Sequence, residues 1–342
     1  MSLLIIRTSA MGDVALTIPV LLGMRKQYPD VETVLLTRPA FKPFFSNIDG
    51  LKLFLPDFNG RHKGLLGIIR LFKELKRQTR ITYVIDLHDV LRSKILRLLF
   101  RISGVPVSVI EKGRSEKKSL IIGQKKIKLK HSLKRYCDAF SKAGFQVEPP
   151  KSPWIIPSPE ALKLAGLMIA NKGELNIGVA PFAKHQLKRW PEENMVRLLG
   201  IISGNHNSKF WLFGGIEESK KLAAFQERIA GSINISGKFN LDEELALMSK
   251  LDLMIAMDSS NMHMAALVGT KVISIWGGTD PLTGFGAWMQ PEQYSISIPV
   301  SELTCRPCTI YGKGECSRGD FACMNWLTPE FVYLKMNDLK IW

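Results

Sequence analysis

Three stretches of this 342-residue chain put charged and hydroxyl side chains where chemistry is done. The first carries Asp13. An apolar run, Leu3 to Ile6, and a small-residue turn, Thr8 to Gly12, precede it; Val14, Ile18, Leu21 and Leu22 follow at helical spacing. A carboxylate at such a strand–turn–helix opening can serve as a general base, and it is equally the acidic first-turn residue that a helix dipole favours. The second stretch runs from Ala180 to Glu193 and holds Lys184 and Lys188 just before a helix opening near Pro191. Cations placed there can neutralise a pyrophosphate, or form an ordinary solvated loop. The third, Met257 to Gly269, follows an apolar strand. Its Ser259 and Ser260 amides open a helix and would suit a phosphate, whereas Asp258 and His263 in isolation read as capping or core residues. Between these two stretches Gly214-Gly215 lets a ligand approach the backbone, and Glu218, with Glu217 beside it, can hold ribose hydroxyls or act as an acidic helical turn.

The elements that must position these residues alternate along the chain. Strands are expected at Leu3–Arg7, Val34–Thr37, Tyr83–Leu87 and Val105–Ile110, with helices at Val14–Gln27, Leu65–Arg80 and Leu91–Ile102 between them. Glu111–Lys130, basic and short of large apolar residues, reads as loop, and a helix spans Ser132–Ala143. Prolines 149, 150, 153, 157 and 159 then mark an interdomain linker. Beyond it the alternation restarts, with strands near Asn176–Ala180, Lys209–Phe213, Ile233–Ser236, Leu253–Met257 and Val272–Trp276 and helices such as Glu192–Ser203 and Leu241–Lys250. Two successive α/β halves imply two Rossmann-like domains.

Charge divides the same halves. The net charge is +16, and residues 1–150 hold 28 Lys and Arg against 12 Asp and Glu, while 151–342 hold 19 of each. The first half is therefore expected to face an anionic partner: nucleic acid, anionic lipid or a phosphorylated glycolipid. In Leu65–Arg80 an apolar face of Leu65, Ile68, Ile69, Phe72 and Leu75 opposes Arg70, Lys73, Lys76 and Arg77, a pattern that fits a membrane surface or a domain helix with a solvated side. No apolar run reaches membrane-spanning length, and the chain opens on a strand with no leader-like segment, so a cytoplasmic protein is expected.

Ser9-Ala10-Met11-Gly12-Asp13-Val14 resembles the N-terminal motif of the ADP-heptose:lipopolysaccharide heptosyltransferases, glycosyltransferase family 9, whose Asp is the family's proposed catalytic base. Further motifs follow in order. Lys188-Arg189-Trp190-Pro191 is similar to the family's Lys-x-Trp-Pro segment, whose Lys contacts donor phosphates. Ala183 and Lys184 replace the threonines that precede it in well-known members, with Lys184 able to supply charge instead. The resemblance assigns Glu218 and Phe239 to the donor nucleoside. It also assigns Asp258, Ser259, Ser260 and His263 to the family's Asp-[Ser/Thr]-Gly-x-x-His element, with Ser260 in place of its glycine. Gly277-Gly278-Thr279-Asp280-Pro281 matches Gly-Pro-Thr-Asp-Pro with Gly278 for the proline. Asp86-Leu87-His88-Asp89 is similar to an Asp-x-Gln-Gly segment, and Met11, Gly12, Arg92, Arg114 and Arg135 fall where members meet the acceptor.

The resemblance implies an α/β GT-B fold with two Rossmann-like domains facing a central cleft. Residues 1–152 would bind the acceptor and 153–328 the nucleotide sugar, with the helix at 329–342 packed back on the first domain. The activity implied is inverting transfer of a heptose from a nucleotide donor, expected to be ADP-heptose, to a lipopolysaccharide inner-core acceptor at the inner membrane surface. No Asp-x-Asp motif is present, so no metal is expected to be obligatory in catalysis. Two rivals stand beside this reading: a sugar-nucleotide epimerase of the same fold, and a nucleic-acid-binding protein. The chain has no RRM or KH signature, so no nucleic acid is expected, and the first turn is not the Gly-x-Gly-x-x-Gly of a nicotinamide enzyme. Cys305, Cys308, Cys316 and Cys323 open with a C-x2-C pair, and structural zinc, free thiols and disulfides are all compatible with their spacing.

Overall fold

The computed structural model describes every residue except 124, 125, 170 and 172. The chain divides into two units: 1–112 with 132–156, and 113–131 with 157–342. Among the described residues the first unit carries a five-stranded sheet of order β3-β2-β1-β4-β5, built from β1 (Ser2–Ile6), β2 (Glu32–Leu36), β3 (Leu51–Phe54), β4 (Tyr83–Asp86) and β5 (Val107–Val109). The second carries a six-stranded sheet of order β11-β10-β9-β6-β7-β8. Its strands are β6 (Leu175–Ala180), β7 (Ser208–Leu212), β8 (Ser232–Asn234), β9 (Leu253–Met257), β10 (Val272–Ile275) and β11 (Ser295–Ile296). Every pairing among the described residues is parallel. This is the doubly wound order twice over, the pair of α/β units that defines the GT-B class.

Parallel strands covered on both faces need apolar side chains on both, and β1 and β9 are buried at every position. In each sheet the order reverses beside its first strand, between β1 and β4 and between β6 and β9. Doubly wound folds bind ligands at the carboxyl ends of such strands. Those ends carry the turn to Asp13 and the Leu87–Asp89 segment in one unit, and the Pro181–Trp190 and Asp258–Ser260 segments in the other.

In the first unit α1 (Met11–Ala15) and α2 (Ile18–Gln27) follow β1, and α3 (Gly64–Gln78) and α4 (Leu91–Ile102) cover the sheet. Ile68, Leu71, Leu75, Leu96 and Phe100 pack there on Leu4, Ile6, Val34 and Val84. The expected loop at 111–130 instead contains α5 (Arg114–Ile121), and its segment belongs to the second unit. The Leu129 amide donates to Leu282 O at 2.8 Å, His131 pairs with Gly286 O at 2.9 Å, and Lys126 donates to Arg306 O. The chain returns to the first unit as α6 (Ser132–Ser141).

The second unit continues with α7 (Pro159–Met168), α8 (Glu192–Asn205), α9 (Ser219–Gln226), α10 (Leu241–Ser249), α11 (Ser260–Leu267), α12 (Ala322–Asn325) and α13 (Pro329–Asp338). The expectation that this last helix packs on the first domain is overturned. Val332, Met336 and Ile341 join the core beneath α8, Trp190 donates its indole N–H to Leu327 O at 2.9 Å, and Arg197 pairs with Glu330 at 2.7 Å. The break between units falls after Ile156, four residues beyond the expected 152, since Trp154 and Ile155 are buried with the first unit.

Candidate functional site

In the first unit the candidate residues are built around Arg7. β1 ends at Ile6, and the next residue turns its side chain into the unit, where it is only 7% exposed, while Asp13 at 30% reaches solvent. The two form an ion pair of 2.6 Å, and Arg7 also donates to Leu87 O at 2.6 Å. Burial opposes the Arg7 charge, but the Asp13 carboxylate beside it and that of Asp86 support it, and its pKa stands above the ordinary value. Tyr136 of α6 lies beneath the guanidinium at 5.7 Å and donates its hydroxyl to Asp13 O at 3.1 Å, so backbone and carboxylate of Asp13 are both held. Burial drives the Tyr136 hydroxyl upward and keeps it protonated. Asp13 is the third residue of α1, where the helix dipole also favours its anion.

His88 completes this cluster. Its Nδ1 and Nε2 lie 3.1 Å from Thr8 Oγ1 and Ser9 Oγ, tying β4 to the turn that presents Asp13. Burial, with Arg7 and Lys112 nearby, pushes its pKa down to about 3, so it stays neutral and offers one donor and one acceptor to the two hydroxyls. Fully buried Asp86 accepts the His88 and Asp89 amides at 2.9 Å each and pairs with Arg97 at 2.9 Å.

The candidate cluster of the second unit is cationic. Lys188 reaches Asp258 at 2.8 Å, with the pair 16% and 7% exposed. Lys184 and Arg189 are exposed beside it, and Arg189 folds back onto Ala183 O and Lys184 O. His185 reports the local charge: desolvation, then Lys188, Lys313, Lys184 and Arg189, lower its pKa. Ser259 stands at the mouth of α11 with its hydroxyl buried and without a partner among the described residues, and His263 is buried one turn into that helix. Glu218 accepts the Gly215 amide at 3.1 Å, bracing the glycine turn, and Phe239 is half-buried beyond Gly237.

A latch supports Lys188 from behind. Gly278 donates to Leu187 O at 2.9 Å and accepts from Cys308 N at 3.0 Å. Gly312, at φ +77°, lies so close to Lys188 that a Cβ there would stand 2.6 Å from its Cγ. Fully buried Arg306 holds the latch by donating to Gly277 O at 2.6 Å and Thr279 O at 3.0 Å and by pairing with Asp280 at 3.1 Å.

The sequence-predicted residues thus gather in two places. Asp13, Met11 and Gly12 lie at the first switch point, and Lys184, Lys188, Asp258, Ser259, Ser260 and His263 at the second. Arg135 is buried, with a bond of 3.4 Å to Glu111 O, and Arg92 stacks over Phe58 at 3.9 Å. Arg114, expected in the first domain, opens α5 in the second unit. Cys305, Cys308, Cys316 and Cys323 carry free thiols, and among the described residues no three His, Cys, Asp or Glu side chains come together as a metal-binding group. The residues that sequence reasoning missed are Arg7, Tyr136, His185 and Arg306. Arg7 had a signal, a basic residue ending an apolar strand one turn before an acid; the others depend on tertiary placement.

The family model of glycosyltransferase family 9 (heptosyltransferase) matches residues 68–313. The chain is 26% identical over 289 residues to the lipopolysaccharide core heptosyltransferase OpsX of Haemophilus influenzae, covering 82% of this chain and 80% of that one. The fold matches a family 9 glycosyl transferase from Veillonella parvula at TM-score 0.76 and 19% identity, over 99% of this chain and 96% of that one. It also matches the Escherichia coli ADP-heptose lps heptosyltransferase II at TM-score 0.70 and 17% identity, over 99% and 98%. The ordered motifs, the two doubly wound sheets and these likenesses agree: the chain is a glycosyltransferase and belongs to family 9, the heptosyltransferases.

Proposed function

We infer that this chain transfers a heptose from ADP-heptose to an inner-core sugar of lipopolysaccharide, with inversion at the anomeric carbon. The observation that carries the reading is Asp13, a carboxylate held by Arg7 and Tyr136 at the first switch point yet open to solvent. In this reading Asp13 takes the proton of the acceptor hydroxyl as that oxygen attacks the anomeric carbon. The bond to the diphosphate breaks as the new glycosidic bond forms. The departing ADP carries the electron pair, and the positive charge of Lys188 and Lys184 with the amides at the start of α11 stabilises it. Asp258 holds Lys188 in place, and His263 and the Ser259 hydroxyl are set to meet the donor.

The names of OpsX and heptosyltransferase II support the donor and acceptor classes. The basic first half supports an anionic glycolipid acceptor, presented at the cytoplasmic face of the inner membrane, where the enzyme associates peripherally. Incubation with ADP-heptose and a heptose-free core acceptor tests the reading. ADP release with a heptosylated, inverted product is expected. A chain that binds ADP yet transfers nothing from ADP-heptose, while accepting another nucleotide sugar, would redirect the assignment.

A further inference from the structure

The basic helix that the sequence offers to a membrane spends its apolar face elsewhere. Ile68, Leu71 and Leu75 of α3 are buried against the sheet, and Phe72 packs edge-on to Phe100 of α4 at 4.9 Å. In the first unit most of the exposed large apolar side chains lie on α4 and at the start of α3. Ser93, Leu96 and Phe100 form its buried side. Leu91, Leu98 and Ile102 form a single line on the other, spaced by seven and then four residues, and are 75%, 55% and 76% exposed. Leu65 and Leu66, at the start of neighbouring α3, are 59% and 77% exposed.

Cations surround this stripe. Residues 61–102 contain 11 Lys and Arg and 3 Asp and Glu. The acids are already engaged: Glu74 with Arg61 and His62, and Asp86 and Asp89 with Arg97. Lys63, Arg70, Lys73, Lys76, Arg77, Lys94 and Arg101 are exposed. A line of aliphatic side chains along a helix of roughly 18 Å, flanked by excess positive charge, is the pattern of a helix lying in a lipid interface. It lacks the aromatic anchors that dominate protein–protein hot spots.

We propose that the outer face of α4, with the first turn of α3, is a docking surface for an anionic phospholipid bilayer. Leu91, Leu98 and Ile102 enter the acyl boundary, and Lys94, Arg101 and the α3 cations meet the headgroup phosphates. The proposal rests on the membrane-bound acceptor inferred above and names the surface that meets the lipid.

The test uses the full chain with vesicles of phosphatidylcholine containing phosphatidylglycerol. The parent is expected to co-sediment with them, to dissociate as salt rises and to ignore pure phosphatidylcholine. The triple variant Leu91→Gln, Leu98→Gln, Ile102→Gln, placed on exposed helical positions, is expected to keep its circular dichroism spectrum and its transfer to a delipidated, water-soluble acceptor. It is expected to lose at least tenfold in vesicle affinity, as is Lys94→Glu with Arg101→Glu. Parent-like vesicle binding by the triple variant overturns the proposal. So does a parent dimer that becomes monomeric in the variant by light scattering, which would make the stripe a self-association face. If transfer fails while the vesicle difference holds, the functional reading falls and the lipid surface stands; the reverse outcome separates them the other way.

Discussion

Arg7 and Asp13 pair at 2.6 Å across the turn between β1 and α1, the cation inside and the anion reaching out. As the proposed base, Asp13 would enter each turnover already aimed. Asp13→Asn is nearly isosteric and cannot take a proton. Turnover is expected to fall by roughly 10²–10⁴ while ADP binding, measured by calorimetry, is unchanged. Unimpaired turnover would remove Asp13 from the chemistry.

Arg7→Met keeps much of the side-chain volume and releases the carboxylate. Its effect is expected in kcat rather than in the donor KM, since the cations proposed to meet the donor lie in the other unit. Arg7→Lys should recover part of the loss. Equal damage from both would make Arg7 a stability residue only, and chemical denaturation would show it.

Lys188→Ala removes a cation from the proposed phosphate site and leaves buried Asp258 without the partner seen at 2.8 Å. ADP affinity is expected to weaken by about 1.5–3 kcal/mol, the range for charge-assisted hydrogen bonds. Pairing the change with Asp258→Asn should restore part of the lost stability but none of the affinity. Undiminished ADP binding would shift the phosphate contact to Lys184.

Gly312→Ala tests the latch. A methyl group there meets the Lys188 methylenes at φ +77°, so the lysine must move or the loop must shift. Weaker ADP binding with little change in Tm is expected. A parent-like Kd would show that the loop gives way without moving Lys188.

Two groups set opposite pH dependences of stability. His88 has its folded pKa pushed down to about 3 by burial, below an unfolded value of about 6.5. The unfolded chain therefore binds the extra proton between these values, and the contribution of neutral His88 is lost as pH falls below 6.5. The slope is at most about 1.4 kcal/mol per pH unit. Glu244 has its folded pKa raised to about 7 by burial, so the folded state holds the extra proton and that contribution is lost as pH rises through 7. In urea titrations from pH 5 to 8, His88→Gln should remove a rise in stability that ends near an unfolded pKa of about 6.5, and Glu244→Gln a fall in stability that ends at about pH 7. Superimposable curves for parent and variants would show that neither group controls the profile.

The central strands were legible because burial on both faces writes itself as an unbroken apolar run: Leu3–Ile6 and Leu253–Met257 have no polar interruption. β3 was missed because an edge strand needs little of that code, and only Phe54 of its four residues is buried. α5 was read as loop because its apolar side is thin, and tertiary bonds from the segment that follows it anchor this part of the chain. The candidate site was legible where one turn holds the side chain, as at Asp13 and Ser259. It was illegible where distant segments supply the support. Nothing local links Tyr136 to Asp13 or Gly312 to Lys188; those partners exist only after both sheets are built.

The route of the chain bears on how relatives can be recombined. It leaves the first unit after Lys112, returns at Ser132 and leaves again after Ile156. A chimaera joined once, in the proline-rich stretch, would graft a foreign 113–131 onto the recipient's second unit. Its bonds to Leu282, Gly286 and Arg306 would then have to form between mismatched parents. Exchange at all three crossings, carrying 113–131 with the second unit, keeps each inherited contact set whole and moves that unit as a single cassette.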